Sequence, residues 1–264
     1  MQQLNLFENI VVNEQINFDV SILDDFRTSQ KYSRKDAELN ILEWLSEWGL
    51  STSRILIFRG NTNKYHLDRL CKNQLLSKRE IAYGYPKYFY SLDVEGEYKL
   101  AEKFGNIEGS FRHLAWINSE TIKRCLMIQR LTLQNLDRIS SFVTPKHYFS
   151  EGLKQPDCIW IAQNQRIGIA LELETRGLWD FDDFILMIFK CLEGDHNNIF
   201  KLDRFIIFST EKWLVENYRH AFQRKSERFL NIWGHNEKGK WGVISQVKIP
   251  FEILSKVSIE HLVL

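Results

Sequence analysis

The sequence predicts a fold of mixed α+β and α/β class, with a small helical module at the N-terminal side and a larger α/β core after it. Three observations carry this expectation. Between residues 36 and 95 the apolar spacing gives helix, helix, helix, strand, turn, strand, the order of a winged helix. After Pro145 short apolar runs of strand type alternate with helical ones, which predicts a core built on a central mixed sheet. The composition, 44% hydrophobic and 26% charged over 264 residues, is that of a globular chain that can bury a core without disulfide or metal staples.

The elements follow in order. Residues 1–35 carry no strong pattern and are read as an N-terminal extension. From Asp36, Leu39, Leu42, Leu45 and Trp48 recur at helical spacing, and Gly49 supplies a stop. Residues 52–58 predict a short second helix. Asn61 or Thr62 is expected to cap a third, which runs to about Asn73. Two strand-like runs, 75–81 and 88–92, flank the turn 83–87 and complete a module spanning 36–95.

The remainder, 96–264, is read as the second domain. It opens on a short helix near 98–104 and a longer one over 110–131. Strands are expected at 158–162 and 167–174 around an Asn164-Gln165 turn, then a helix over 179–192 whose wholly apolar stretch from Phe184 to Phe189 demands burial. A buried strand at 205–209, an amphipathic helix at 211–228 and a hairpin of 230–233 with 241–247 follow.

Charge and cysteine usage narrow the function. The formal net charge of +1 excludes a global basic field, so any nucleic-acid site must be a local patch. Cys71, Cys125, Cys158 and Cys191 form no CxxC pair and read as small buried hydrophobes in a reducing compartment. Asn5, Glu8 and Asn13 interrupt the early apolar residues, and the run 184–189 is too short to span a bilayer. A cytoplasmic location is therefore expected.

A winged helix reads DNA by laying its third helix in the major groove. That helix and its approach carry Asn61, Asn63, Lys64, His66, Arg69 and Lys72. The hairpin adds Lys78, Arg79 and Lys87 among Tyr83, Tyr85 and Tyr88. Amides and arginine pair with base edges and lysine neutralises phosphate, so these are the expected DNA contacts. A solvated helix face is the plainer alternative.

The acids of the core suggest chemistry. Asp157 opens one strand, and Glu172 and Glu174 alternate at the end of its hairpin partner, which would put both glutamates on one face. Three converging carboxylates repel one another unless a cation neutralises them. A divalent ion with oxygen ligands, Mg2+ or Mn2+, would do so and would lower the pKa of a bound water or hydroxyl.

Pro156-Asp157, followed fifteen residues later by Glu172-x-Glu174, resembles the PD-(D/E)xK signature of restriction-endonuclease-like nucleases. Glu174 stands where that signature has lysine. With the preceding winged helix, the chain resembles the replication-relaxation family, and within it the MobC-type plasmid mobilisation relaxases. The resemblance covers roughly residues 36–215. It implies a PD-(D/E)xK-like core and nicking of one strand of double-stranded plasmid DNA at a transfer origin. It also implies Asp157, Glu172 and Glu174 as catalytic metal ligands, and coupling or accessory mobilisation proteins as partners. The seven histidines form no HxH-type cluster, in keeping with a relaxase that lacks a three-histidine metal site.

The missing lysine must be replaced. Lys190, the only basic residue of the helix at 179–192, is the first candidate, with Arg176 the second. A dipole-favoured cation at a helix C-terminus is the plainer reading of Lys190. Glu108, Glu120 and His113 are weaker candidates for the site. Tyr32, in the basic stretch Lys31-Tyr32-Ser33-Arg34-Lys35, is a possible covalent nucleophile. Two other readings stay open: a non-catalytic DNA-binding accessory or replication regulator with a decayed core, and a restriction-like endonuclease cutting both strands.

Overall fold

The computed structural model describes residues 34–80, 86–105, 119–148, 154–174, 176–194, 201–222 and 228–262. Tyr32, Tyr83, Tyr85, Glu108 and His113 lie outside the described residues. The structure is mixed α+β and divides into two compact units, with the described residues parted between Gln134 and Asn135. The helices expected to open the second domain therefore belong to the first unit.

In the first unit, α1 (Arg34–Trp48) buries Ile41, Leu42, Trp44 and Leu45, and Gly49 ends it at φ 75. Thr52 caps α2 (Ser53–Gly60) through its side chain, and Asn61 closes that helix in the left-handed region at φ 44. Asn63 caps α3 (Lys64–Lys72). β1 (Leu76–Glu80) and β2 (Tyr88–Leu92) pair antiparallel, with Leu76 opposite Leu92. Ser51, in the link between α1 and α2, adds a one-residue bridge to Tyr90, with bonds of 2.9 and 2.8 Å. The unit continues through α4 (Val94–Phe104) and α5 (Ser119–Gln134).

Two close fits hold this unit together. A Cβ on Gly96 would lie 2.3 Å from the Leu75 carbonyl oxygen, so only glycine lets α4 approach the corner before β1. Gln129 of α5 is fully buried. Its oxygen accepts from Trp44 Nε1 (2.9 Å) and Ser51 Oγ (2.7 Å), and its Nε2 donates to the Leu50 carbonyl (2.7 Å). One side chain thus ties α5 to α1 and to the bridge residue.

The second unit is built on a five-stranded mixed sheet. In chain order it contains β3 (Ser141–Val143), a 3-10 turn (Pro145–His147), β4 (Cys158–Ala162), β5 (Gln165–Glu172), α6 (Leu178–Glu193) and β6 (Arg204–Ser209). Then come α7 (Lys212–Phe222), β7 (Arg228–His235), β8 (Trp241–Ile249), α8 (Phe251–Leu254) and β9 (Val257–His261). The sheet order is β3-β4-β5-β6-β9, with β7 and β8 as a separate hairpin. β3, β4 and β5 pair antiparallel, while β6 runs parallel to both β5 and β9.

The β4–β5 turn falls at Gln163-Asn164, one residue before the expected place. Both residues have positive φ, 48 and 63, which is the type I′ geometry of a two-residue hairpin. β5 ends at Glu172 rather than 174, because its partner β6 ends opposite at Ser209. The sheet face bearing Ile159, Ala170, Phe205, Ile207, Val257 and Ile259 shares one core with Phe184 and Ile188 of α6 and with Leu214, Tyr218 and Phe222 of α7. Among the described residues no helix is long and apolar enough to cross a membrane.

Candidate functional site

The acidic corner is assembled at the open end of the β4–β5 hairpin. Tyr148, buried beside the sheet, donates its hydroxyl to the Pro156 carbonyl at 2.9 Å. Burial first, then the neighbouring Cys158 and Asp157, push the Tyr148 hydroxyl well above the usual phenol range, so it stays a proton donor. This fixes the Pro156-Asp157 step. The Asp157 N–H donates to the Ile169 carbonyl, and its Oδ2 accepts from the Leu171 N–H, both at 2.8 Å. The carboxylate of Asp157 therefore sits at the residue next to Glu172.

Glu172 is 2% exposed, on the sheet face that packs against α6 and α7. A buried carboxylate needs a cation or several donors, and Glu172 has both. Arg176 Nε reaches Oε2 and Arg176 Nη2 reaches Oε1, each at 2.6 Å, a bidentate fork. The Tyr218 hydroxyl of α7 donates to Oε2 at 2.8 Å. Burial pulls the Arg176 guanidinium down, but hydrogen bonding and charge from Glu172 outweigh it and the net shift is upward. Burial and then the Glu172 charge push the Tyr218 hydroxyl far up. Arg176 also reaches Asp180 Oδ2 at 3.0 Å, lies with its guanidinium 4.3 Å from the Phe184 ring centroid, and so joins β5 to α6. Asp180 in turn pairs with Lys154. Burial opposes charge on Asp180, yet Lys154 and Arg176 prevail and hold its carboxyl below the usual range.

Glu174 is exposed on a bend beyond β5, so strand alternation does not align it with Glu172. Lys190 is exposed in the last turn of α6. At 1.5 Å of rise per residue it stands roughly 18 Å along the axis from the start of that helix, the end that adjoins Glu172. The cation on Glu172 is thus Arg176. No helical spacing signals it, since β5 ends at Glu172 and α6 begins at Leu178, which leaves Arg176 in the loop between them. Tyr218 is visible in principle. It is the one hydroxyl among Leu214, Val215, Ala221 and Phe222 on the buried face of α7.

The oxygen donors suit magnesium or manganese in type, but not in arrangement. Both oxygens of Glu172 are held by a guanidinium, and Glu174 is exposed on the bend after β5. Among the described residues no group of three or more His, Cys, Asp or Glu is placed to hold a metal.

In the first unit the expected DNA-contact residues divide. Asn61 and Asn63 are exposed and both serve as helix caps, the first closing α2 through its backbone. The second accepts the His66 N–H at 3.0 Å. His66 is buried and its Nδ1 meets Arg69 Nη2 at 3.2 Å, so neither reaches out as a free base reader. Lys64, Lys72, Lys78, Arg79 and Lys87 are exposed. Tyr65, 80% exposed, stands beside Lys64 on α3. On the hairpin the Lys78 and Lys87 ammonium groups lie 4.4 and 5.3 Å from the Tyr88 ring centroid. Glu120 is exposed in the first turn of α5.

Asn63→Ala is expected to destabilise the first unit by about 1 kcal/mol through loss of the α3 cap, without changing the charge that faces solvent. Chemical unfolding checks this, and an unchanged midpoint would refute the capping role.

Comparison with protein-family models, with curated proteins and with solved structures finds no match to this chain.

Proposed function

We propose that the chain is a DNA-nicking protein of the relaxase kind, which binds double-stranded plasmid DNA at a transfer origin and cleaves one strand at the Asp157–Glu172 corner. The observation that carries this is the joining of the Pro156-Asp157 step and Glu172 at one end of a two-residue hairpin in a mixed sheet. That is the arrangement the resemblance to PD-(D/E)xK cores implies. The first unit supports the DNA-binding half. Three helices, a bridge residue and an antiparallel hairpin follow winged-helix order, and the exposed cations of α3 and the hairpin suit a phosphate backbone.

In this reading each side chain has a task. Lys64, Lys72, Lys78, Arg79 and Lys87 neutralise phosphates and place the duplex. Tyr148 and the Leu171 N–H orient Asp157. Arg176 supplies the positive charge that the absent lysine leaves wanting. Mg2+ or Mn2+ is the cofactor that the resemblance implies; Asp157 and Glu172 would be its oxygen ligands, and it would supply the Lewis acid for phosphodiester cleavage.

The test is relaxation of a supercoiled plasmid that carries the cognate origin. Nicking is expected only with divalent metal and is expected to vanish in Asp157→Ala and Glu172→Ala. Full activity in either variant would remove these residues from the site. Charge reversal at Lys72 and Arg79 is expected to weaken duplex binding and flatten its salt dependence, by about one unit of slope for each phosphate no longer neutralised.

A second reading is favoured by one specific observation, the bidentate hold of Arg176 on Glu172. A core neutralised by its own arginine suits a non-catalytic DNA-binding accessory. Manganese calorimetry separates the two, since such a core takes up no metal.

A further inference from the structure

Apart from the acidic corner, the second unit displays a cluster of aromatic rings to solvent. Trp179, in the first turn of α6, is 49% exposed, and Trp241, at the start of β8, is 54% exposed. Their rings meet edge to face, centroids 6.3 Å apart at 86°. His235, paired with Trp241 across the hairpin, packs its ring 5.1 Å from the same indole. The Lys154 ammonium lies 5.6 Å from the Trp179 centroid and also donates to the Asp180 carbonyl at 2.9 Å.

The arrangement is anchored from beneath. Asp182 of α6 is 5% exposed and accepts from Trp233 Nε1 (3.0 Å) and Asn231 Nδ2 (3.2 Å) of β7. A buried carboxylate with two donors pins the hairpin to the helix and so sets Trp241 beside Trp179. Two indoles left half in water are not needed by the core they flank.

We propose that Trp179 and Trp241 form a stacking platform for unpaired DNA, which rests on the nicking function proposed above and names the form of DNA that the second unit takes. Two observations favour this occupant. A cation borders one ring, Lys154 over Trp179, and the turn that leads into Trp241 carries exposed Lys238 and Lys240 together with Glu237. An apolar protein partner has no use for them, whereas a sugar-phosphate chain does. The platform is also continuous with the acidic corner. Trp179 lies three residues from Arg176, and Lys154 and Arg176 share Asp180. A strand stacked on the indoles would have its backbone beside the group that holds Glu172. Base stacking is tolerant of sequence, so the platform would hold an unwound strand while the first unit reads the duplex.

The experiment is fluorescence anisotropy with labelled oligo(dT) and, in parallel, a labelled duplex, using the full chain and Trp179→Leu, Trp241→Leu and Trp241→Phe. Each leucine variant is expected to weaken oligo(dT) binding roughly five- to 150-fold, with duplex affinity unchanged. Trp241→Phe keeps a stacking ring and is expected to retain most of the affinity, which a mere packing role would not predict. The proposal is overturned if wild-type protein does not bind oligo(dT), or if the leucine variants match it. It is also overturned if they lose duplex binding equally, or if sedimentation shows that the indoles join two copies of the chain. Nicking is read separately, so an inactive protein that still stacks DNA would sink the proposed activity and leave the platform standing.

Discussion

Arg176→Met is expected to destabilise the second unit by about 3–5 kcal/mol, because it leaves a buried carboxylate without its cation. Glu172 is 2% exposed, and the Tyr218 hydroxyl brings a hydrogen bond to Oε2 but no charge. Urea unfolding measures the loss. A loss under about 1 kcal/mol would mean that the fork is ornamental. The double variant Glu172→Leu/Arg176→Met is expected to recover most of the stability, since an apolar pair of similar volume can replace a buried ion pair, and to be inactive in nicking. The pair would then be retained for chemistry or binding rather than for folding.

Gln129→Leu is expected to be the most damaging single change in the first unit. It removes three hydrogen bonds from fully buried surroundings, those to Trp44, Ser51 and the Leu50 carbonyl. At about 1–3 kcal/mol for each buried polar group left unsatisfied, the total exceeds about 3 kcal/mol. Ser51 exchanges backbone bonds with Tyr90, so the damage should reach β2. Hydrogen exchange at Tyr90 reads it directly. Protection there equal to wild type would show that the bridge stands without Gln129.

Helices and long strands are legible in the sequence wherever one face is apolar throughout. α1, α6 and β6 are such elements. The three-residue β3 is too short to show a period. β9 does alternate, with Val257 and Ile259 inside and Ser258 and Glu260 between them, but five residues after Pro250 and a short helix give that signal little reach. The acids at Asp157 and Glu172 are legible because a carboxylate inside an apolar run is conspicuous. Sequence pattern points to a lysine on the helix as the positive partner. The partner is instead an arginine in the loop before that helix, placed by where β5 stops rather than by any residue pattern. Glu174 departs from its expected place for the same reason, since strand alternation holds only as far as a neighbour strand pairs. His66 follows from helix geometry: with Leu67 and Leu70 it lies on the inward face of α3, so it serves the fold.

The position of β9 bears on how the molecule is made. β6, buried from Phe205 to Ser209, pairs on one side with β5 and on the other only with β9, which is synthesised after α7, the β7–β8 hairpin and α8. A nascent chain interrupted before Val257 therefore carries this buried strand with a bare row of amide and carbonyl groups. Such a row is a template for pairing with another copy. β9 covers that row on β6, in addition to the side chains it contributes to the interior.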